Sequence, residues 1–538
     1  MCLSRTMRQD VGSHPPQPSR GAGRNRMSDP REIELKLECE PSDLAVLQDH
    51  PLLREAAVQG EAELASVYFD TPDRQLHAAG LGLRVRESEG RFVQTLKAEG
   101  DGLFDRPEWE QPVEGAEPDR AALADTPFAR RVADDAALEP LFTSRVTRRT
   151  YLVEQGESRI EVALDLGRIE SPAAGDDILS ICEIELELKE GTASDVFALA
   201  YAIAALVPVR LGVRSKAERG YALAAGKIDR VRKSEPVPLH DDMSAAEAFR
   251  AVAHACLRHM RINEDILLKS RDADALHQMR VAIRRLRSAF SLFGDLVDDP
   301  LGVRIRAELK AATEPLGRAR NLDVFLATIL PAERERHPDE VGLLGLERQL
   351  EDERAKAYRD LAALLRSDAW RMLLLDLIGW INAGPWLRDD SPGRVSLREE
   401  PARVFAAREL DRRRRQVKRR GRHLDDLEPE ERHRVRIAAK KLRYGAEFFA
   451  PLFPGKKAGK RHGAFGKALS DLQDHLGALN DIATGHELMR DLRVEPAGAT
   501  TLFAAGMTAA DIEARSRKLL EAAAEAHEDL VDTKPFWR

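Results

Sequence analysis

Two short stretches alternate apolar and acidic residues with a period of two. They are Glu32-Ile33-Glu34-Leu35-Lys36-Leu37-Glu38 and Cys182-Glu183-Ile184-Glu185-Leu186-Glu187-Leu188. Residues i, i+2 and i+4 of a strand share a face, so each stretch predicts a strand with one apolar and one charged face. Glutamate is disfavoured in strands, and like charges side by side repel. Two acid rows make physical sense around something positive, and a hard divalent cation with oxygen ligands is the natural candidate. Either row alone equally fits an amphipathic strand with a solvated outer face. The neighbouring strands decide.

The same alternation predicts strands at 65–69, 81–86, 92–98, 109–113, 147–154 and 159–165, separated by short breaks rich in Gly, Asp, Pro and Glu. Helical patterns interrupt at 41–50 and 192–206. So many antiparallel strands suggest a closed barrel. Basic residues alternate too: Arg84 shares a face with Arg86, and Thr95 with Lys97. Arg106 leads into Glu108-Trp109-Glu110, Arg148 precedes Tyr151, Asp165 ends the strand that holds Glu161, and Lys216 follows the second helix. Taken singly, each is an ordinary surface or ion-paired residue. If all these faces line one lumen, it suits a polyanion with its metals, since cations clamp phosphoryl oxygens while carboxylates coordinate metal.

From about residue 241 the period changes. Ala, Leu and Arg dominate, and apolar positions recur every three or four residues, which predicts helices. An internal repeat stands out: His277-Gln-Met-Arg280-Val-Ala-Ile-Arg284-Arg285-Leu-Arg287 returns 156 residues later as His433-Arg-Val-Arg436-Ile-Ala-Ala-Lys440-Lys441-Leu-Arg443. At about 100° per residue, positions 0, 3, 7 and 10 fall within about 80° of arc. His277, Arg280, Arg284 and Arg287 thus form one basic stripe, and His433, Arg436, Lys440 and Arg443 a second. Met279, Ile283, Leu286 and Phe290 border the first as an apolar stripe, matched by Val435, Ala439, Leu442 and Ala446. A charge run on a helix is usually a solvated face; repetition in one register favours a ligand. After each copy comes a matched element, Leu316-Gly317 with Asn321-Leu322-Asp323 and Leu476-Gly477 with Asn480-Asp481. Two such copies suggest bundles about a pseudo-twofold axis. Single-strand nucleic-acid binders interleave aromatics with their cations. Only Tyr444 follows a stripe here, so nucleic acid is disfavoured and a polyanion without bases preferred.

With 538 residues, 43% of them hydrophobic and 33% charged, the chain should hold at least two soluble domains. Residues 31–230 carry 24 basic against 39 acidic residues, net -15, within a total of -7. The helical half is therefore basic by comparison, which fits two modules with different roles. Four scattered cysteines, Cys2, Cys39, Cys182 and Cys256, form no zinc or disulfide framework and fit a reducing, cytoplasmic setting. No apolar run approaches a membrane span. Residues 1–30 lack the apolar core of a secretory signal and are expected to be a disordered extension, with Met27 a second candidate start.

The segments Glu32-x-Glu34-x-Lys36, Tyr68-Phe69-Asp70-Thr71-Pro72, Leu83-Arg84-Val85-Arg86, Thr95-Leu96-Lys97, Arg106-x-Glu108-x-Glu110 and Cys182-Glu183-Ile184-Glu185-Leu186-Glu187 together resemble the CYTH family of triphosphate tunnel metalloenzymes. The resemblance covers 31–227 in order. It implies an eight-stranded antiparallel barrel whose tunnel binds triphosphate with Mg²⁺ or Mn²⁺. Glu32, Glu34, Glu185 and Glu187 would hold metal, with Glu183 and Asp165 as further ligands. Lys36, Arg84, Arg86, Lys97, Arg106, Arg148 and Lys216 would grip phosphates. The family divides among inorganic triphosphate, thiamine triphosphate, RNA 5′-triphosphate and ATP cyclisation. With no aromatic cluster beside these segments to stack a ring, a small substrate is favoured.

The repeated helices and the elements after them resemble the CHAD domain, over most of 241–530 beyond a linker at 228–240. That resemblance implies a module binding inorganic polyphosphate through both stripes, with 383–401 a variable loop. An inorganic triphosphatase is the reading these resemblances support. The alternatives are a non-catalytic polyphosphate scaffold, or a phosphohydrolase acting on thiamine triphosphate or a nucleoside triphosphate. A barrel ending near Lys233 is expected to work alone.

Overall fold

The computed structural model describes residues 31–100, 102–133, 135–491 and 516–538. The extension expected over 1–30, and the side chain of Asp481, lie outside the described residues. Nine strands occupy the first half: β1 (Arg31–Glu38), β2 (Ala57–Asp70), β3 (Leu81–Ser88), β4 (Arg91–Ala98), β5 (Asp105–Val113), β6 (Glu139–Gln155), β7 (Ser158–Glu170), β8 (Ile178–Glu190) and the short β9 (Arg210–Leu211). Neighbours pair antiparallel in the order β5-β4-β3-β2-β6-β7-β8-β1. Pairing of β1 with β5 through Arg31–Ile33 closes eight strands into a barrel, and β9 pairs with β1 at Leu37 and Glu38. Closure leaves no open edge among the eight.

Register decides which face points inward. Glu34 stands opposite Glu187, Lys36 opposite Glu185 and Glu38 opposite Glu183. The alternate residues Leu35, Leu37, Ile184 and Leu186 face outward and are almost wholly buried with Val196, Leu199 and Ile203 of the covering helix α2 (Ala193–Ala204). α1 (Pro41–Asp49) adds Leu44 and Leu47 to the same layer. The barrel is thus apolar outside, under helices, and charged inside. Truncating one buried leucine, as in Leu186→Ala, costs about 2–5 kcal/mol. The strands run beyond their sequence-based bounds because ladder pairing continues where side chains reach solvent, as at the exposed start of β2 opposite β6. There, alternation carries no signal.

Helix α3 (Lys216–Ala224) opens on a capping box: Ser215 Oγ accepts from the Glu218 N–H while the Glu218 carboxylate accepts from the Ser215 N–H. This cap fixes Lys216 at the first position of the helix. The second half is helical. α4 (Ala245–Ser270), α5 (Ala273–Leu292), α6 (Pro300–Val324), α7 (Asp368–Ala383), α8 (Pro429–Phe449) and α9 (Lys456–Asp491) carry its main features. Both expected apolar stripes are buried, Met279, Ile283, Leu286 and Phe290 on α5 and Val435, Ala439, Leu442 and Ala446 on α8. The stretch 383–401 differs from the loop predicted for it. It contains two short helices, Pro385–Arg388 and Pro392–Glu399, each opened by a proline, with Trp386 buried. Among the described residues, no helix is long and apolar enough to cross a membrane.

The two halves share one buried apolar cluster. Val209, Leu211, Val237 and Leu239 belong to it together with Leu257, Met260 and Leu375 of the helical half. Tyr201 Oη donates to Asp376 at 2.8 Å, and fully buried Arg261 of α4 donates to the Leu211 carbonyl and to Asp265. A barrel cut at Lys233 would expose part of this shared core, so a cost in stability is expected of the isolated barrel.

The loop between β4 and β5 docks on α4, where the Leu103 N–H donates to His254 Nδ1 at 3.3 Å. Burial, then Arg250, push the His254 imidazole down to about 3. A base depressed on folding contributes stability above its unfolded pKa and loses it as pH falls. From pH 7 to pH 5 the chain should lose about 2 kcal/mol from this group. The loss should shrink in His254→Gln, as read by denaturant unfolding at the two pH values.

Candidate functional site

The β1 acid row faces the lumen and meets cations from several strands. Glu32 accepts from Lys97 at 2.8 Å on β4 and from Arg106 Nε at 3.0 Å on β5. Glu34 pairs with Lys36 at 2.6 Å and with Arg106 at 2.5 Å. Lys36 reaches Glu185 at 2.6 Å on β8, and Glu187 pairs with Lys189 at 2.7 Å. On β6, Arg148 makes a fork to Asp165 at 2.7 and 2.6 Å and also bonds Glu185.

Asp165, Glu183 and Glu185 form a buried triad with oxygens within 4.8 Å of one another, a grouping that could hold a metal ion. The Lys216 ammonium stands among them, at 2.6 Å from Asp165 and 3.0 Å from Glu185, and bonded to Glu183. Burial works against its charge, yet these three carboxylates hold it above the usual lysine range. Burial likewise opposes ionisation of Glu185, which Lys216, Lys36 and Arg148 hold well below the carboxylate range. Arg219, one turn beyond Lys216, also bonds Glu183.

Lys216→Met would leave three buried carboxylates without their central cation, a destabilisation of about 3–5 kcal/mol. Their pKa values should then rise, so the native state takes up protons and the deficit narrows as pH falls. Unfolding free energies of both chains at pH 7.5 and 5.5 check this.

Other groups in the lumen lack such pairing. Arg84 Nε on β3 is buried without a hydrogen-bond partner. Among the described residues, neither Arg84 nor Arg86 pairs with a carboxylate, and the neighbour of Arg84 across the ladder is Tyr68. Across the barrel the acids crowd. Burial and a hydrogen bond shared with Glu32 push Glu108 up to about 7, and burial, with Glu32 and Glu161 nearby, raises Glu187. A cavity of about 1100 Å³ runs through this lumen, lined by Glu32, Glu34, Lys36, Arg84, Arg86, Lys97, Arg106, Arg148, Glu185, Glu187 and Lys216. Asp165 and Glu183 stand behind Lys216, almost without exposure.

The structure therefore brings every lumen residue named from the sequence into one region. Glu108, Lys189 and Arg219 join them without a role assigned from sequence. The first two were legible as i+2 neighbours of Arg106 and Glu187. Arg219 required knowing that a helix returns to the barrel.

The basic stripes of the helical half converge. Burial, then Arg284, Arg320 and Arg436, push the Arg280 guanidinium down to about 10. Arg436 lies on α8, so the second copy faces the first, and α5 packs on α8. Burial and Arg320, Arg284 and Arg280 push His277 down to about 4, leaving a neutral imidazole at pH 7. Arg284 Nε is buried without a hydrogen-bond partner. Gly317 on α6 gives Arg280 its room, since a Cβ there would stand 3.0 Å from Nη1.

Arg287 lies near Lys441, with Arg413 and Arg420. Arg443 is committed to Glu447 at 2.9 Å and to Gln473. His433 Nδ1–H donates to the Asn480 side-chain oxygen at 3.2 Å, and Lys440 continues its face of α8. Arg320, unnamed in the sequence reading, sits one turn from Gly317 on α6.

Comparison with known proteins follows this division. The chain is 34% identical over 200 residues to an inorganic triphosphatase of Haemophilus influenzae, an alignment covering 36% of this chain and 55% of that protein. It thus spans about half the length of that curated relative. A crystal structure of the CHAD domain from the plant Ricinus communis is 29% identical, covering 55% of this chain and 96% of that one, with a TM-score of 0.48. A Hippeastrum protein described as having a dominant triphosphatase activity is 20% identical, covering 36% of this chain and 96% of its own, with a TM-score of 0.28. Residues 30–221 match the family model of the CYTH domain and residues 251–490 that of the CHAD domain. The chain is a CYTH domain followed by a CHAD domain.

Proposed function

We propose that the barrel hydrolyses inorganic triphosphate to diphosphate and phosphate with a divalent metal, Mg²⁺ or Mn²⁺, and that the helical half binds inorganic polyphosphate. The observation that carries the first part is the polarity of the lumen. Among the described residues, Arg84 and Arg86 on β3 form no ion pair with a carboxylate, Glu108 acting on Arg84 only from a distance, while acids crowd on β1, β5 and β8. An anion can satisfy the first wall, and a hard cation the second.

The residues fit such a metal. Glu32, Glu34, Glu185 and Glu187 offer carboxylate oxygens to the cavity. Asp165 and Glu183 then keep Lys216 in place, because a metal in their triad would have to displace its ammonium. A divalent cation bound by the four glutamates would neutralise phosphoryl oxygens and acidify a bound water.

The chain's own groups do the rest. Lys36, Lys97, Arg106 and Arg148 are already positioned by carboxylates, and on substrate entry they exchange these for phosphate oxygens. Arg84, Arg86 and Lys97 stabilise charge on the equatorial oxygens of the transferring phosphoryl group. Lys216 and Arg148 orient the chain from the opposite side. The route needs no nucleophilic side chain.

For the helical half, the supporting observation is Arg280, Arg284, Arg320 and Arg436 gathered with mutual repulsion, on which a polyanion would act as counter-ion. Polyphosphate at 100 times its dissociation constant should stabilise the full chain by about 2.7 kcal/mol. Thermal unfolding with and without polyphosphate tests it, and an unmoved transition would contradict it.

A further inference from the structure

The tunnel cavity does not end at the barrel. Its wall continues along one face of α4, through Ala251, Ala255, Arg258 and His259, and reaches Arg285 on α5. At about 1100 Å³ it exceeds the usual ~300–1,000 Å³ of a small-ligand pocket. Space therefore remains beyond whatever the lumen residues grip.

Arg285 is the unusual group on that wall. It is 5% exposed and its Nε is buried without a hydrogen-bond partner. Its guanidinium lies 5.0 Å from the ring centre of Phe448 and near the Cys256 thiol. No carboxylate pairs with it among the described residues. Arg261, on the neighbouring helix and equally buried, shows the normal solution: a carbonyl and several carboxylates surround it. A buried guanidinium without a counter-ion is costly, and its planar fork of donors fits an oxyanion. The adjacent Arg284 belongs to the separate arginine group of the helical half. Successive residues about 100° apart on α5 thus serve two compartments.

We infer that Arg285 forms an oxyanion subsite at the junction of the two domains, continuous with the tunnel. Its ligand is a phosphate group, either the far end of a linear chain longer than triphosphate or released orthophosphate. The inference rests on the tunnel taking triphosphate. Charge and volume carry it: a buried cation with no carboxylate partner among the described residues faces the cavity beyond the barrel.

The test uses the full chain and the variants Arg285→Met and Arg285→Lys. Replacing a buried charge by a similar apolar volume is commonly tolerated, so the methionine chain should fold. Two quantities are measured: kcat/KM for linear phosphates of graded length, and binding of orthophosphate by calorimetry. In Arg285→Met, either the ratio of kcat/KM for long chains over triphosphate falls about fivefold or more, or orthophosphate binding weakens by as much. The first result identifies a chain end, the second a product.

A methionine chain that matches the parent in both quantities overturns the subsite. Should it fail to fold, Arg285→Lys decides. Loss of the fork must weaken one of the two readings about threefold, and no change in either overturns the inference. Absence of triphosphate turnover in the parent chain would sink the tunnel reading instead, and orthophosphate binding would still judge Arg285.

Discussion

Glu185→Gln should lower the rate of triphosphate hydrolysis at least about 10²-fold, on the order of 3 kcal/mol of transition-state stabilisation. It removes a proposed metal-ligating charge while keeping the shape. From sequence alone, little change in melting temperature is expected. The structure alters that expectation. Glu185 is bonded to Lys36, Arg148 and Lys216 at once, so its neutralisation weakens three buried ion pairs, while Glu34, Asp165 and Glu183 still balance the three cations. A loss of about 1–3 kcal/mol in stability should accompany the loss in rate. Glu187→Gln separates the two effects, because Glu187 pairs only with half-exposed Lys189 among the described residues. Its rate should fall similarly with a melting temperature close to that of the parent. Initial rates and unfolding curves on the three chains decide. A Glu187 variant with full activity would remove β8 from the metal site.

The second large effect concerns the helical half. Arg280→Ala with Arg284→Ala should weaken long-chain polyphosphate binding about tenfold or more. These two residues lie where the copies meet, beside Arg320 and Arg436. Binding by the parent should fall steeply as salt rises, by analogy with counterion release from nucleic acid, and the double variant should show a shallower slope. Chains long enough to span both copies should bind far more tightly than triphosphate through effective concentration. Titration with polyphosphates of graded length, with single-stranded DNA as competitor, measures both. Equal affinity for DNA would contradict the preference for an anion without bases, and a double variant as tight as the parent would remove the groove.

Much of this was legible in sequence because the chemistry alternates with the backbone period. Glu32, Glu34, Lys36, Arg84, Arg86, Glu185 and Glu187 could be placed on one face by counting in twos, and the barrel puts that face inward. The stripes of α5 and α8 followed from counting in threes and fours in the same way. Pairing was not legible. That Lys216 fills the triad of Asp165, Glu183 and Glu185 depends on a helix returning to the barrel, which no local period encodes. Nor was the union of the halves, since Val237 and Leu239 lie in the stretch 228–240 that reads as a linker yet are buried. Arg285 shows the same limit. In sequence, helical counting only leaves it off the stripe that holds Arg284, and packing alone shows what it faces.

The central claim is that this lumen turns over triphosphate with a divalent metal. Phosphate release by the full chain from triphosphate, long-chain polyphosphate, ATP and thiamine triphosphate, measured in parallel with Mg²⁺, with Mn²⁺ and with excess chelator, tests it most directly. Triphosphate should give the highest kcat/KM, about tenfold or more above ATP and thiamine triphosphate, and chelator should abolish release. Undiminished release in chelator, a preference for ATP or thiamine triphosphate, or tight triphosphate binding without turnover would contradict it.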